Sequence, residues 1–377
     1  MKIVLDTTII KRKDKITGIE RVALESVKNI LCNQEFRKNN SFFILCSKSG
    51  KDLVLEEIAK VTDLKGIKFY KSPIENRIFT DQVWLPFIIE RINPDYVYYT
   101  TLGIPLINRF PFSMIIHDTV AWVMPDTISK GMRYYYKPIL QMAIRNKKMD
   151  KIMTVSNFSK AEIVKYLDVN ESKIFVNYLG ISDTFLKSTN LTINRKNVLE
   201  KYNTGDNFII AIGTLEPRKN ISGLIRAFQI LKSKYNFSGK LIIVGRKGWI
   251  NSFSIEENLK KDIIFTGYIE DEHLSILLTS AKAFIFPSFY EGFGLPLIEA
   301  MSLGVPVLCS NKASLPEIGG DACEYFDPTD HEEMARKIFW VLEDEKKRNE
   351  MSLKGRERAN LFTWSNHSER TINILFK

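Results

Sequence analysis

The chain is poor in the two residue types that most often build structural metal centres. Its 377 residues include only four cysteines and four histidines. The cysteines show no C-x-x-C spacing and lie mostly in apolar segments, at Cys32, Cys46, Cys309 and Cys323. We therefore predict neither a disulfide framework nor a zinc cluster, and expect reduced core thiols in a cytoplasmic protein.

Long apolar runs are absent as well. No stretch approaches the ~20 apolar residues that cross a bilayer, and the start, Met1–Asp6, is too short and too soon interrupted for a signal peptide. Internal repeats and low-complexity tracts are also lacking. These absences predict a globular protein of the cytoplasm.

Two ligand-binding signatures are missing too. No G-x-G-x-x-G follows a predicted strand, which disfavours a dinucleotide-dependent dehydrogenase. No Asp-x-Asp occurs that could hold a divalent cation against a substrate phosphate. We therefore predict chemistry without a metal and without another cofactor.

The segments that are present alternate between strand and helix patterns. Such alternation predicts mostly parallel sheets covered by helices on both faces, and a chain of this length is expected to form two domains. A helix is predicted over Gly18–Cys32, and the interdomain linker from Leu179 to about Tyr202. The predicted strands are Lys2–Asp6, Phe42–Cys46, Ile67–Tyr70, Asp95–Thr100, Ser113–His117, Lys151–Val155, Lys173–Asn177, Phe208–Ile212, Lys240–Val244, Ile263–Phe265, Ala283–Phe286, Val305–Cys309 and Glu324–Phe326.

The positive charge is concentrated in the first half. Of the net charge of +10, Met1 to Phe185 supplies +8, from 28 Lys and Arg against 20 Asp and Glu. No nucleic-acid reader motif accompanies it, so an anionic membrane surface is the better partner. The aromatic and basic segment from Arg133 to Lys151 is predicted as a helix that could rest on such a surface. A solvated basic face is the alternative.

One stretch predicts an anion-binding loop. The apolar run Ala283–Ser288 leads into a loop containing Gly292 and Gly294, and apolar residues then recur at helical spacing until Gly304. Glycines let backbone N–H groups approach a ligand, and a helix N-terminus attracts negative charge. Glu291 and Glu299 flank this loop, where carboxylates can accept hydrogen bonds from ligand hydroxyls.

A second strand-loop-helix junction spans Ile210 to Asn220 and carries Arg218 and Lys219. Together with the spacing Glu291-x7-Glu299, it resembles the signature of the retaining glycosyltransferases of family 4, also called glycosyl transferases group 1. That resemblance implies the GT-B fold, with two Rossmann-like doubly wound domains facing across a cleft and a C-terminal helix crossing back to the first domain.

The resemblance also implies a division of labour. Residues 1–185 would bind the acceptor, residues 186–361 the nucleotide-sugar, and residues 362–377 would form the returning helix. The catalytic residues implied are His117, Arg218, Lys219 and Glu291. The donor-binding residues implied are Gly18, Gly213, Gly245, Arg246, Tyr268, Ile269, Gly292, Phe293, Gly294, Leu295 and Glu299.

Three first-half positions have plainer explanations. His117, with Asp118 orienting it or capping the residues after it, could be a satisfied core histidine. Gly18 could mark an ordinary helix start, since only one glycine of the family's pair is present. Ser156 is explained as the N-cap of the helix that follows.

The function implied is that of a retaining, metal-independent hexosyltransferase of bacterial surface polysaccharide assembly. It would move a sugar from a nucleoside diphosphate to a glycan or lipid-linked acceptor. GDP-mannose is the preferred donor, and UDP- or dTDP-linked hexoses stay open. The alternatives are a nucleotide-sugar epimerase on the same fold and a non-catalytic binding relative. Hydrolysis by paired carboxylates is disfavoured because a glycosidase has no use for a phosphate clamp.

Overall fold

The computed structural model describes residues 1–11, 16–128, 131–182, 185, 193–248 and 253–376, with only the backbone of Met132. Within the predicted linker, residues 183–184 and 186–192 lie outside the described residues. The chain divides into two compact units, Met1–Gly180 with Trp364–Lys377, and Ile181–Thr363. Each unit has one parallel sheet, and the predicted α/β class with two doubly wound sheets is confirmed.

The first unit contains a seven-stranded sheet in the order β3-β2-β1-β4-β5-β6-β7. The four central strands are almost wholly buried, as expected where helices cover both faces of a parallel sheet. β2 and β3 lie on one side of β1, and β4 to β7 follow on its other side. The order in which the chain adds strands therefore reverses between β1 and β4, and we call this point the change of direction of the sheet. The strands are β1 (Lys2–Thr7), β2 (Ser41–Cys46), β3 (Ile67–Lys71), β4 (Tyr96–Tyr99), β5 (Phe112–Ile115), β6 (Met149–Thr154) and β7 (Ile174–Val176).

The helices of this unit place the apolar residues of one face against the sheet. One π-helical turn, Thr80–Trp84, connects the helices Arg77–Phe79 and Leu85–Ile92. The α-helices are Gly18–Cys32, Gln34–Lys38, Lys51–Ala59, Arg77–Phe79, Leu85–Ile92, Val120–Val123, Lys137–Ile144, Asn157–Leu167 and Trp364–Phe376. A second π-helical turn covers Met132–Tyr136, and 3-10 turns cover Pro125–Thr127 and Glu171–Lys173.

The C-terminal helix Trp364–Phe376 belongs to the first unit, as predicted. It packs against Gly18–Cys32 and buries Ile372 and Leu375 in the core beside β1. Its polar face is hydrogen-bonded as well, because Asn177 Nδ2 donates to the His367 carbonyl at 2.9 Å and to Thr371 Oγ1 at 2.8 Å. The last helix is thus an integral part of this core.

His367 on that helix makes the stability of the first unit depend on pH. Its Nδ1 donates to the Tyr178 carbonyl at 2.9 Å, and its Nε2 accepts from Ser26 Oγ at 3.2 Å. Burial lowers the pKa of His367 from 6.5 to about 4, against the effect of Tyr178 and with a further contribution from His117. In the unfolded chain His367 therefore binds a proton near pH 6.5, whereas in the folded chain it binds that proton only near pH 4.

We expect His367 to contribute stability fully above pH 6.5 and to lose it as the pH falls toward 4. The loss amounts to about 2 kcal/mol between about pH 7.5 and about pH 5. Chemical unfolding across this range checks it, with His367→Gln for comparison. The variant should show a flatter dependence, and equal slopes for both proteins would contradict the assignment.

The second unit contains a six-stranded parallel sheet in the order β10-β9-β8-β11-β12-β13. The order in which the chain adds strands reverses between β8 and β11. These two strands are neighbours, paired at Ile210 and Phe284. The strands are β8 (Phe208–Ile212), β9 (Lys240–Val244), β10 (Ile263–Gly267), β11 (Phe284–Phe286), β12 (Val307–Ser310) and β13 (Cys323–Phe326). The α-helices are Arg195–Lys201, Ile221–Tyr235, Asp271–Ser280, Leu295–Ser302, Leu315–Gly319, His331–Glu343 and Glu345–Ala359, and 3-10 turns cover Pro217–Lys219, Glu257–Leu259 and Gly320–Ala322.

The structure corrects the sequence prediction in three places. β5 ends at Ile115, so His117 lies in the loop beyond the strand rather than at its last position. The helix predicted from Arg133 ends at Ile144, because Met149–Thr154 is a strand whose apolar residues face the core. Cys32 is exposed at the end of its helix, whereas Cys46 and Cys309 are buried thiols.

No helix in the described part of the chain combines the length and apolar character needed to cross a bilayer.

Candidate active site

In the second unit, the loops that follow β8 and β11 lie where the sheet changes direction. In parallel sheets, ligands bind beyond the carboxyl ends of the strands at this point, because the neighbouring connections diverge there. The loop after β8 holds Arg218 and Lys219, and the loop after β11 holds Glu291. The fold therefore brings together two segments that are about seventy residues apart in the chain.

The loop after β8 presents its two cations from a rigid turn. Pro217–Lys219 forms one 3-10 turn, and Asn220 follows in the left-handed region with φ of 53°. Asn220 Oδ1 then accepts from Gly223 N at 3.2 Å and caps the helix Ile221–Tyr235, while its Nδ2 donates to the Pro328 carbonyl at 2.7 Å.

The loop after β11 is held by hydrogen bonds from two sides. Phe289 N donates to the Arg218 carbonyl at 2.8 Å, which joins the two loops directly. Ser314 Oγ contacts the carbonyls of Glu291 and Phe293 at 2.9 and 3.0 Å. Gly294 adopts φ of 108° just before the helix Leu295–Ser302, a conformation that favours glycine.

Four charged side chains meet between these loops in what we call the charge cluster: Glu216, Arg218, Lys219 and Glu291. Lys219 Nζ lies 2.5 Å from Glu291 Oε1, and Arg218 Nη1 lies 3.2 Å from Glu291 Oε2. Arg218 Nε also contacts Glu216 Oε2 at 3.0 Å. The sequence interpretation did not assign Glu216, although it lies two residues before Arg218 in the same motif.

Burial and the ion-pair partner have opposite effects on the pKa values of Glu291 and Lys219. Burial alone would raise the pKa of Glu291, but Lys219 and Arg218 outweigh it and lower that pKa below its usual range. Burial lowers the pKa of Lys219, and Arg218 adds to this effect, whereas Glu291 opposes it. Glu291 is therefore a carboxylate at neutral pH, and both of its oxygens contact cations.

The glycines predicted to face the donor also have a packing role. Gly213 N donates to the Val244 carbonyl and Gly245 N to the Gly267 carbonyl, so the ends of β8, β9 and β10 are joined. A Cβ at Gly245 would lie 2.0 Å from the Gly213 carbonyl oxygen, and one at Gly213 would press on Lys219. A larger residue at Gly245 would therefore displace the backbone of Gly213, and one at Gly213 would shift the Lys219 side chain of the charge cluster.

The remaining residues predicted to bind the donor lie along the same sheet edge and the helix after β11. Arg246 stacks over the ring of Tyr268 at 5.0 Å, and Ile269 beside it is buried. Gly292 and Phe293 are buried in the loop, Leu295 begins the helix and Glu299 is buried within it. The second unit thus contains all the predicted donor residues except Gly18.

His117 and Gly18 lie in the first unit. His117 Nε2 is buried and has no hydrogen-bond partner among the described residues. Burial lowers the pKa of His117, against Asp118 and the backbone of Thr100, so the ring is neutral at pH 7. Asp118 Oδ1 accepts from Val120 N at 3.1 Å, and Ser156 caps its helix through Ser159 N at 3.0 Å, as predicted.

The start of the first helix is explained without a ligand. Thr17 and Glu20 form a reciprocal capping box, with Thr17 N donating to Glu20 Oε2 at 2.7 Å. A Cβ at Gly18 would meet no atom within 4 Å, so the space around it does not require glycine.

A polar cluster in the first unit was missed from the sequence. Arg77 Nε contacts Asp81 Oδ2 at 3.0 Å and Tyr136 OH at 3.1 Å, and Arg77 Nη1 contacts Thr8 Oγ1 at 3.3 Å. Asp6, fully buried one residue before the end of β1, lies close enough to Arg77 to influence its pKa. The i,i+4 spacing of Arg77 and Asp81 was the only signal, and many surface helices share it.

Two family models match the chain in succession. Residues 18–185 match the family described as Glycosyltransferase Family 4, and residues 194–358 match Glycosyl transferases group 1. A curated relative, O-antigen chain mannosyltransferase B of Escherichia coli, is 32% identical over 99% of both chains. O-antigen chain mannosyltransferase RfbU of Salmonella typhimurium is 26% identical over 76% of this chain and 78% of its own.

The two family models and the relative at 32% identity define a glycosyltransferase, and its fold is GT-B. Among solved structures, the lipopolysaccharide-biosynthesis glycosyltransferase WaaG superposes with a TM-score of 0.73 over 100% of both chains at 15% identity. Anabaena HepE in complex with UDP-glucose superposes with a TM-score of 0.71 over 100% of this chain and 99% of its own, at 16% identity. The chain belongs to glycosyltransferase family 4, the glycosyl transferases of group 1, and the resemblance of its motifs is confirmed.

Proposed function

We propose that this glycosyltransferase moves a mannose from GDP-mannose to a glycan or lipid-linked acceptor of a bacterial surface polysaccharide, with retention of configuration. The observation that carries the proposal is the charge cluster at the point where the second sheet changes direction. The names of the relatives, O-antigen chain mannosyltransferases over most or all of this chain, support mannose as the sugar.

The main chemical task is to stabilise the departing diphosphate. Negative charge grows on the β-phosphate as the glycosidic bond breaks, and preorganised cations lower the energy of that state. Arg218 and Lys219 would supply the cations, and the N-terminus of Leu295–Ser302 adds a favourable dipole. Both cations are already fixed by Glu291, so little reorganisation is needed at the moment of reaction.

The state of Glu291 supports a positioning role. A carboxylate whose two oxygens contact two cations, and whose pKa is lowered, is a weak nucleophile. We infer that Glu291 orients the sugar and the cations, and that the acceptor attacks from the face the diphosphate leaves. The leaving phosphate would take the acceptor's proton, and His117 would hydrogen-bond the transferred sugar.

The proposal includes weak association with the cytoplasmic face of an anionic membrane. The charge of +8 over the first half motivates it, and exposed apolar side chains at Ile78, Val83, Phe87 and Ile107 add to it. Basic residues near an anionic surface attract it by about 1 kcal/mol each, screened by salt.

Product analysis with GDP-mannose, UDP-glucose and a mannosyl-terminated glycoside tests the function. We expect GDP release coupled to formation of a new α-linkage, identified by NMR. An inverted product would contradict retention, and a preference for UDP-glucose would reassign the donor. Conversion of the donor to an epimeric nucleotide-sugar without acceptor would establish the epimerase instead.

Activity should be unchanged by EDTA. Two side-chain cations are available at the proposed diphosphate site, and they can neutralise the leaving group in place of a divalent ion. Initial rates with and without chelator, after gel filtration, check this. Complete loss of activity that Mg²⁺ or Mn²⁺ restores would refute metal independence.

Glu299→Ala should raise the KM for the donor by about ten-fold or more. Glu299 is buried in the helix after the glycine loop, where its carboxylate would accept hydrogen bonds from the ribose hydroxyls, and a hydrogen bond to a charged group contributes about 1.5–3 kcal/mol. Steady-state kinetics with varied donor measure the change. Unchanged donor affinity would remove Glu299 from the site.

A further inference from the structure

We propose that the first unit recognises the acceptor as a neutral, polyhydroxylated sugar, through Asp6, Arg77 and Asp81, which we call the hydroxyl site. This inference rests on the proposed function and names the chemistry of its acceptor.

The location of the hydroxyl site is the first argument. Asp6 is the second-last residue of β1, Thr100 follows β4, and these two strands flank the point where the first sheet changes direction. Thr100 Oγ1 donates to the Asp6 carbonyl at 2.7 Å, which joins the two strand ends. This is the position in an open parallel sheet where ligands bind.

The second argument is a set of unsatisfied polar atoms. Among the described residues, Asp6 Oδ2, Arg77 Nη2 and Asp81 Oδ1 are buried without a hydrogen-bond partner, and so is Thr101 Oγ1 in the segment after β4. Buried polar atoms are nearly always hydrogen-bonded, and an unpaired one is costly. These four atoms lie at one edge of one sheet, and two of them are acceptors and one is a donor only. They point to a ligand that both donates and accepts hydrogen bonds.

The third argument is charge. The hydroxyl site contains two acidic side chains for one guanidinium, so a phosphate or a carboxylate bound there would lie beside two acidic groups and a single buried cation. Burial raises the pKa of Asp81 to about 7, with Arg77 and Lys11 opposing the shift and Asp6 adding to it, so that near neutral pH the Asp81 side chain can donate as well as accept a hydrogen bond. A sugar ring instead offers hydroxyls that donate to Asp6 and Asp81 and accept from Arg77.

Access to the hydroxyl site requires the segment after β4 to move. A Cβ built on Gly103 would lie 1.7 Å from Arg77 Nη2 and 3.0 Å from Asp81 Oδ1, so the backbone there lies directly on the site. Glycine at this position permits that close approach.

The test compares Asp81→Asn with the wild type, using octyl α-mannoside as the neutral acceptor and mannose 6-phosphate as the anionic one. The matched control is Tyr96→Phe, which removes a buried hydroxyl at the other end of β4, where it contacts Ser113 Oγ and Asp150 Oδ2. Donor KM and the slow transfer of mannose to water are measured in all three proteins, since both report on the second unit and on correct folding.

We expect the wild type to use the neutral glycoside in preference to the phosphorylated sugar. Asp81→Asn should raise the KM for that glycoside by about ten-fold or more, with donor KM and transfer to water unchanged, and Tyr96→Phe should leave all three values as in the wild type. Any of three results would overturn the hydroxyl site. The wild type could prefer the phosphorylated sugar, it could transfer mannose to water alone, or Asp81→Asn could show an unchanged acceptor KM. A wild type that transfers mannose to neither acceptor nor water would instead contradict the proposed function. Should Asp81→Asn fail to fold, Thr101→Val with the same readouts replaces it.

Discussion

Replacing Arg218 or Lys219 by alanine is expected to lower kcat by about 10²-fold or more. The attraction of these cations for the β-phosphate grows as the glycosidic bond breaks, so their removal costs more in the transition state than in the bound donor. Loss of one preorganised donor of this kind typically has an effect of that size. Steady-state kinetics at saturating donor give kcat directly.

The matched control for Lys219→Ala is Lys232→Ala. Lys232 forms a similarly buried ion pair with Asp262 at 2.7 Å in the same unit, away from the charge cluster. Both variants should lose stability, but only Lys219→Ala should lose kcat. Arg218→Lys should also be impaired, because lysine cannot contact Glu216 and Glu291 together as the guanidinium does. If Arg218→Ala and Lys219→Ala both kept full kcat and showed only a raised donor KM, Arg218 and Lys219 would bind the donor without stabilising the transition state.

Glu291→Gln is expected to destabilise the ligand-free protein more than any other conservative change in the site. Lys219 is buried and has Glu291 as its partner at 2.5 Å, and removing one partner of a buried pair costs about 3–5 kcal/mol. Activity should fall as well, by about ten-fold or more in kcat/KM, because the sugar loses a charged hydrogen-bond acceptor.

The same variant should respond unusually strongly to nucleoside diphosphate. If Arg218 and Lys219 bind the diphosphate, its negative charge compensates for the missing carboxylate, so GDP should raise the Tm of Glu291→Gln by more than that of the wild type. Thermal unfolding with and without GDP measures both shifts. A smaller shift in the variant would mean that the diphosphate binds elsewhere.

The sequence predicted the elements of this protein well where local chemistry decides them. The strand, loop and helix around Gly294 follow from an apolar run, a glycine that adopts positive φ, and the helical spacing from Leu295 onward. The helix Gly18–Cys32 was predicted with its observed bounds because its capping residues and apolar face agree.

The sequence was less informative where distant segments meet. Glu291 contacts Arg218 and Lys219 because β8 and β11 are neighbours at the change of direction, which spacing alone does not reveal. The resemblance to a family pointed to these residues, but not to Glu216 or to their mutual ion pairs. Asp6, Arg77 and Asp81 escaped notice because a π-helical turn and a strand end bring them together.

The central claim is that the charge cluster stabilises the departing diphosphate in the transition state. The single-turnover rate of GDP-mannose cleavage at saturating enzyme, measured alongside the Kd for GDP, tests it most directly in the wild type and in Lys219→Ala. We predict that the variant slows cleavage by about 10²-fold or more, while the Kd for GDP rises by a much smaller factor. An unchanged cleavage rate with a large rise in Kd would contradict the claim.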